Sequence, residues 1–451
     1  MLGISDSDDT PVPIGVKQVV ITDASTTLDQ TATRVQSNSA PVWLYDPFCY
    51  TPWYTAELAS ALTSAGINLR LLCGTLAREP NYFQQRSLSP EICFSSLSRI
   101  PDMGLRPINR LLRLTQAIAT IRVLSSRLRD ETTQHPKVLH LQQLPMLEHG
   151  LEGDFSLIDA AKDRGVPVIH TVHNLLPHSA GEQSRSRYEK LYHRVDHLIC
   201  HSTYAADQLT REFGVSRCHI SVIPHGPLFP SNSGNSENDM RLARERLGLP
   251  FDRPIVLWQG IMAEYKGLDV LLEAWRRYID LMHDATNAQP LLLIAGAGSR
   301  VIESMVRQHI REMPSSVRAE IRYITARELP DFYTAADVLV YPYRAITTSG
   351  ALLTGLSYGK PIIASNLPAF HDFLVAGENA LLVEPRSIDA WGMALRRILT
   401  DLASCKSSGS GHLPQSIFKQ LSEGAALNQT RYMSWNSIAT QTLALYDRLT
   451  R

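Results

Sequence analysis

Short apolar runs of strand composition alternate with amphipathic stretches of helix length along nearly the whole chain, and this alternation restricts the fold more than any other feature. The first secure strand is "PVWLYD" (41–46), followed by a helical stretch "PWYTAELASALTSAG" (52–66) that ends at Gly66, and then the strand "INLRLLC" (67–73). A strand–helix–strand start implies parallel pairing, because a helix carries the chain back before the next strand begins. The pattern resumes with the strands "KVLHLQQ" (137–143), "VPVIHTVHN" (166–174), "DHLICHS" (196–202) and "HISVIPHG" (219–226), with helical stretches between them. It then repeats with "PIVLWQG" (254–260), "QPLLLIAGAG" (289–298), "AEIRYIT" (319–325), "VLVYPY" (338–343) and "NALLVEP" (379–385). The expected fold class is α/β: two Rossmann-like doubly wound domains facing a central cleft.

The 451 residues exceed what one typical core organises. Residues 1–39 read as a polar tail in which only "VKQVVI" has strand character, and 40–228 as the first domain. Residues 229–244, rich in Ser, Asn and Gly, read as a linker, 245–428 as the second domain, and 429–451 as a closing amphipathic helix. Lys plus Arg equals Asp plus Glu at 44 each, so overall charge gives no support to a nucleic-acid partner. The six cysteines form no C-x-x-C pair, which argues against a zinc site or a disulfide framework and fits a reducing compartment. The start "MLGISDSDDTPVP" lacks the apolar core of a leader, and no apolar run approaches the roughly 18 residues of a membrane span. A cytoplasmic protein is expected. The acidic run Asp6 to Asp9 sits in the polar tail with no strand before it, so solvated charge accounts for it.

Residues 94–129 differ from their surroundings. Arg99, Arg106, Arg110, Arg113, Arg122, Arg127 and Arg129 alternate with Leu105, Ile108, Leu111, Leu112, Leu114, Ile118, Ile121 and Leu124. This is a basic amphipathic pattern with two readings. One is a surface helix with a solvated face. The other is contact with an anionic membrane surface, which would place the protein peripherally at the inner face of the plasma membrane.

Ligands of open α/β sheets sit beyond the carboxyl ends of the strands, so the loops after strands carry the candidate site residues. In "WQGIMAEYKG" (258–267), Gly260 follows a strand, and Lys266 and Gly267 open a helix. Amide donors, helix dipole and ammonium converge there in a way that suits phosphate. In "ITTSGALLTGLSYGKPIIAS" (346–365), Thr347, Thr348 and Ser349 can cap a helix that starts near Gly350, with free N–H groups on Gly350, Ala351 and Leu352. Arg344 lies just before it. Singly, these are as well read as a surface lysine and a capped helix; two such junctions in one domain point to a diphosphate. In the first half, His173 follows a strand and is the foremost site candidate, with His178 five residues on. Asp46, at the end of the first strand, is the candidate base for an inverting reaction, and Asp154 is another. Tyr50, Thr51 and Tyr54 are candidate linings of an acceptor pocket.

Several of these segments together carry a resemblance. "GIMAEYKGLDVLLEAW" (260–275), "LLLIAGAGS" (291–299), "LPDFYTAADVLVYPY" (329–343) and "SGALLTGLSYGKPIIASNLPAFHDFLVAGENALLVEP" (349–385) resemble the donor domain of GT-B glycosyltransferases, closest to the large retaining family four. "VIHTVHNLLPH" (168–178) is similar to their acceptor-domain strand and loop, and His173 matches their cleft histidine. "SWNSIATQTLALYDRL" (434–449) resembles their closing helix, which crosses back to the first domain. Two features depart from the family. Its two donor-site glutamates, eight positions apart, correspond by count from Gly359 to Ile346 and Thr354, and its Gly-Arg pair before the lysine is Gly260 and Ile261. Stereochemistry and nucleotide choice therefore stay open, with Arg344 or Arg300 available to replace the guanidinium.

The resemblance implies a hexosyltransferase that moves a sugar from a GDP- or UDP-sugar to a glycan or glycolipid acceptor in exopolysaccharide or cell-surface glycan biosynthesis. No cofactor and no metal are expected. Lys266 and backbone amides would stabilise the leaving diphosphate. An epimerase or hydrolase of sugar nucleotides with the same architecture, and a non-catalytic glycan- or nucleotide-binding homologue, are the alternatives.

Overall fold

The computed structural model describes residues 40–451 apart from 48, 50, 74–78, 80, 93–105, 178–180, 230–235, 283–288, 408–415 and 433. The tail 1–39, with its "VKQVVI" segment, and Tyr50 and His178 lie outside the described residues.

The first sheet holds β1 (Val42–Tyr45), β2 (Leu69–Cys73), β3 (Glu91–Ile92), β4 (Val138–Leu141), β5 (Val168–Val172), β6 (His197–Cys200) and β7 (Ile220–Val222). The second holds β8 (Ile255–Gln259), β9 (Leu291–Gly296), β10 (Val317–Ile321), β11 (Val338–Tyr341), β12 (Ile362–Ser365) and β13 (Ala380–Val383). Their orders are β3-β2-β1-β4-β5-β6-β7 and β10-β9-β8-β11-β12-β13. Every strand pairing is parallel. The order reverses between β1 and β4 and between β8 and β11, so each sheet has a switch point where loops diverge and leave a crevice.

The strands are apolar on both faces because helices cover both. Ile255 and Leu257 enter one buried cluster, and Val256 and Trp258 enter another on the opposite face. Val42 and Leu44 divide from Trp43 and Tyr45 in the same alternation. The cluster holding Leu44 and Leu257 draws residues from both sheets, so one apolar layer joins the two halves. The last helix, Trp435–Leu449, packs on Pro52–Ser64 of the first half. Its Tyr446 hydroxyl meets His140 Nδ1 at 2.7 Å, and Trp435 Nε1 donates to the Pro227 carbonyl at 2.9 Å.

One expectation is corrected here. The stretch 229–244 is not linker throughout, because helix Glu237–Leu247 occupies its second part, with a capping box on Ser236 and Asp239 and a left-handed Gly248 at its end. Arg244 in that helix makes a buried ion pair with Asp337 at 2.6 Å, which ties the helix to the second sheet. The basic amphipathic stretch is helix Arg106–Arg129, and its apolar residues from 114 onward are not offered to a membrane. Ala117, Ile121, Leu124 and Leu128 are buried with Leu157 and Ile158 of helix Phe155–Lys162. Among the described residues no helix is long and apolar enough to cross a membrane.

Candidate functional site

A cavity of about 590 Å³ opens between the carboxyl ends of the two sheets. Its lining follows from the topology. His173, His201 and His225 come from the loops after β5, β6 and β7, and Gly260 and Gly296 from the ends of β8 and β9. Thr348, Ser349 and Gly350 come from the loop after β11 and the start of helix Gly350–Leu356.

The lysine loop is built by close backbone contact. After β8 the chain makes a short turn, Glu264–Lys266, then passes through Gly267 in the left-handed region (φ 64°) into helix Leu268–Leu281. A Cβ on Gly267 would stand 1.7 Å from the carbonyl oxygen of Pro342, so only glycine lets this turn dock on the end of β11. The Arg344 amide donating to the Tyr265 carbonyl at 2.7 Å completes the docking. Lys266 is thereby carried to Tyr343, where Nζ donates to the hydroxyl at 2.6 Å and lies 3.9 Å from the ring centroid. Burial lowers its pKa to about 8.

Ser349 caps helix Gly350–Leu356: its Oγ accepts from the Leu352 amide at 3.2 Å and donates to the Tyr343 hydroxyl at 3.3 Å. Tyr343 therefore bridges the lysine loop and the Ser-Gly loop. The Thr348 hydroxyl is buried without a partner. Gly350 is pressed against the facing half, where an added Cβ would come 2.9 Å from Leu228 Cδ1 and 3.4 Å from His225 Cε1.

Of the residues named from sequence, Gly260, Lys266, Thr348, Ser349, Gly350, Ala351, Thr51 and His173 line this one cavity. His173 Nε2 is 3.0 Å from Gln142 Oε1, and burial first, then the neighbouring histidines, hold its pKa well below the usual value. Others are placed elsewhere. Arg344 does not line the cavity; it pairs with Glu264 at 3.0 Å and with Asp269. Gly267 serves the docking against Pro342 and also stays out of the lining. Arg300 is exposed at the start of helix Arg300–Glu312 and does not line the cavity. Asp46 is buried and accepts from Thr55 Oγ1 at 2.5 Å and from the Cys49 amide at 3.1 Å, and burial pushes its pKa up to about 6. It is turned into the first domain's core, so it is no base at this cavity. Asp154 accepts from the Leu147 amide at 2.8 Å and is likewise outside the lining. Tyr54 is core, with its ring packed among His173, His201, His225 and Trp435.

Sequence reasoning missed His201, His225, Tyr333 and Gln259, all of which line the cavity. His201 and His225 follow strands as His173 does, and that position was the available signal. Ile346 and Thr354, at the positions assigned to the family's glutamates, both line the cavity. Among the described residues no group of three or more His, Cys, Asp or Glu is arranged to hold a metal ion.

Comparison with known proteins agrees with this geometry. Residues 52–226 match the family described as Glycosyltransferase Family 4, and residues 253–401 match Glycosyl transferases group 1. The two matches tile the two halves, and the chain belongs to the glycosyltransferases of GT-B fold and family 4 type. A D-inositol 3-phosphate glycosyltransferase of Acidothermus cellulolyticus is 24% identical over 77% of this chain and 77% of its own length. A protein of the same name from Rhodococcus opacus is 25% identical over 58% of this chain, which spans 62% of that relative's length. Among solved structures, HepE of Anabaena in complex with UDP and glucose has a TM-score of 0.65 at 13% identity, covering 90% of this chain and 99% of that one. Sucrose-phosphate synthase of Thermosynechococcus elongatus has a TM-score of 0.64 at 20% identity, covering 91% of this chain and 99% of that one.

Proposed function

We propose that this glycosyltransferase moves a hexose from a UDP-sugar to a glycan acceptor in the assembly of an exopolysaccharide or cell-surface glycan, without a metal. The observation that carries the reading is one wall of the cavity holding both a buried ammonium, Lys266, and an unpartnered buried hydroxyl, Thr348, beside the amide-rich start of a helix. A buried hydroxyl with no partner is costly unless a ligand satisfies it. A diphosphate would take the ammonium, the hydroxyl and the helix amides together. Uridine is chosen over guanosine on the example of one protein of this fold, HepE of Anabaena, which is solved with UDP and with UDP-glucose. Thermal denaturation tests it. UDP at a hundred times its dissociation constant stabilises the native state by about 2.7 kcal/mol, so a clear rise in Tm is expected with UDP and a smaller one with GDP at equal concentration. No shift with either nucleotide would remove the reading.

We further propose a cytoplasmic protein whose acceptor is lipid-linked. The reading rests on Arg106, Arg110 and Arg113, which recur at helical spacing at the start of helix Arg106–Arg129. Glutamine at all three is expected to abolish co-sedimentation with phosphatidylglycerol vesicles. Wild-type protein that stays in the supernatant ends the membrane proposal.

A further inference from the structure

A second cavity, of about 340 Å³, opens at the amino end of the first sheet, where Trp43, Asn68, Arg70, Arg127, Thr133 and Gln134 are among its lining residues. The strands of this sheet run parallel, so the pocket lies at the opposite end of β1 and β2 from the cleft. Its walls follow from the packing. Register sets Trp43 of β1 beside Arg70 of β2 on one face of the sheet, with the guanidinium carbon 5.6 Å from the indole centroid. The Trp43 ring is buried in the same cluster as Leu124 and Leu128, which seats the end of helix Arg106–Arg129 there and delivers Arg127. The Thr133 hydroxyl donates to the Arg127 carbonyl at 2.8 Å, turning the connection after the helix back so that Gln134 joins the lining.

Glu91, at the start of β3, holds both guanidiniums. Its Oε2 accepts from Arg70 Nε at 3.2 Å and Nη2 at 2.5 Å, and its Oε1 accepts from Arg127 Nη1. Two cations share one carboxylate, which leaves one positive charge over within the trio. Arg70 Nη1 and Arg127 Nε and Nη2 carry N–H groups that Glu91 does not take. Glu91 itself does not line the pocket, and among the described residues no Asp or Glu does. The two arginine side chains are 39% and 35% exposed, so a solute reaches them. Asn68 and Gln134 add exposed amides and no opposing charge. Guanidinium forks held in place, with no acid in the lining, suit a phosphate group. The volume is that of a site for a small molecule rather than for a lone ion.

We propose that this pocket binds a phosphate monoester through Arg70 and Arg127, at a site separate from the cleft. Glu91 fixes the two guanidiniums from outside the pocket, and the ester takes their remaining N–H groups. The ester is either a soluble phosphorylated metabolite or the headgroup of an anionic lipid.

Calorimetric titration tests it. Glycerol 3-phosphate and dihexanoyl phosphatidic acid present the same phosphate without and with a lipid body, and each is titrated into protein saturated with UDP, which occupies the phosphate-binding groups of the cleft. Equal affinity for the two assigns a soluble ligand, and tighter binding of the phosphatidic acid assigns a lipid. Arg127→Gln is expected to weaken the bound ester about tenfold, the value of one charge-assisted hydrogen bond, without changing the affinity for UDP. Glu91→Gln is expected to act in the opposite direction, which a poorly folded variant would not do. It keeps an amide oxygen for the guanidiniums, removes the competing charge, and should tighten the ester at least about threefold. Lys266→Met, titrated without UDP, is expected to bind the ester as the wild-type UDP complex does. No binding of either ester, an affinity unmoved by Arg127→Gln, or weaker binding by Glu91→Gln would each overturn the proposal. Binding that survives Arg127→Gln and disappears with Lys266→Met would place the ester in the cleft and overturn it too. Protein that fails to bind UDP but binds the ester in an Arg127-dependent way sinks the reading of the cleft alone and leaves this pocket standing.

Discussion

Lys266→Met is expected to lower kcat/KM about a thousandfold, the scale seen when one preorganised charge-stabilising group is removed from an active site. Nζ is held by the Tyr343 hydroxyl at 2.6 Å in a buried position, so it is aimed before any donor arrives. The same burial gives the prediction a pH signature. With its pKa lowered to about 8, Lys266 loses its proton as pH rises through that value, and kcat/KM should fall on the same limb. A bound diphosphate favours the ammonium, so the limb for kcat should lie at higher pH. The methionine variant should lack the limb in its residual activity.

Stability should move the opposite way from activity. The unfolded chain holds the Lys266 proton more tightly than the folded one, whose pKa is lowered from 10.5 to about 8, so the buried charge is a destabilising feature below pH 8. That penalty fades as pH rises from about 8 to 10.5. Lys266→Met should therefore melt no lower than wild type at neutral pH, with any advantage shrinking over that window. A variant that keeps full activity, or one whose loss of activity is matched by a collapse of Tm, would remove Lys266 from the chemistry.

The second large effect falls far from the cavity. Arg244→Met is expected to cost about 3 to 5 kcal/mol, the range for removing one partner of a buried ion pair. Both side chains of the Arg244–Asp337 pair are 3% exposed, so solvent cannot replace the lost cation. The guanidinium also donates to the carbonyls of Ala335 at 3.0 Å and Arg253 at 3.2 Å, which lose their donors with it. Asp337 accepts from the Ile255 amide at 2.7 Å, so the damage reaches the start of β8. Chemical denaturation should show the loss. Arg244→Met combined with Asp337→Asn should recover part of it, because no unpaired charge then remains buried. A single variant within about 1 kcal/mol of wild type would show the pair to be dispensable.

These two residues illustrate what was legible in advance. Lys266 stands beside a glycine at a strand-to-helix junction, a local pattern that reports its own conformation, and it lines the cavity. Arg244 stands in a stretch whose composition reads as linker up to its edge, and its partner lies 93 residues away. Nothing local to 244 announces that partner. Arg344 shows the converse error. Its proximity to the Ser-Gly loop suggested phosphate, but the docking of the lysine loop on the end of β11 places Glu264 and Asp269 against it first. Asp46 follows a strand as His173 does, yet the first turns inward to Thr55 and the second lines the cavity. Position after a strand gives the end of the sheet, not the direction of the side chain.

The sequence alone determined the two doubly wound sheets and the loops that could carry chemistry, because strand and helix periodicity and glycine placement are properties of neighbouring residues. Only the tertiary structure decided which of those side chains share a cavity, which are neutralised by distant partners, and that three histidines from three separate loops line one space. Those outcomes depend on how two sheets pack face to face, and packing joins residues that no local pattern connects.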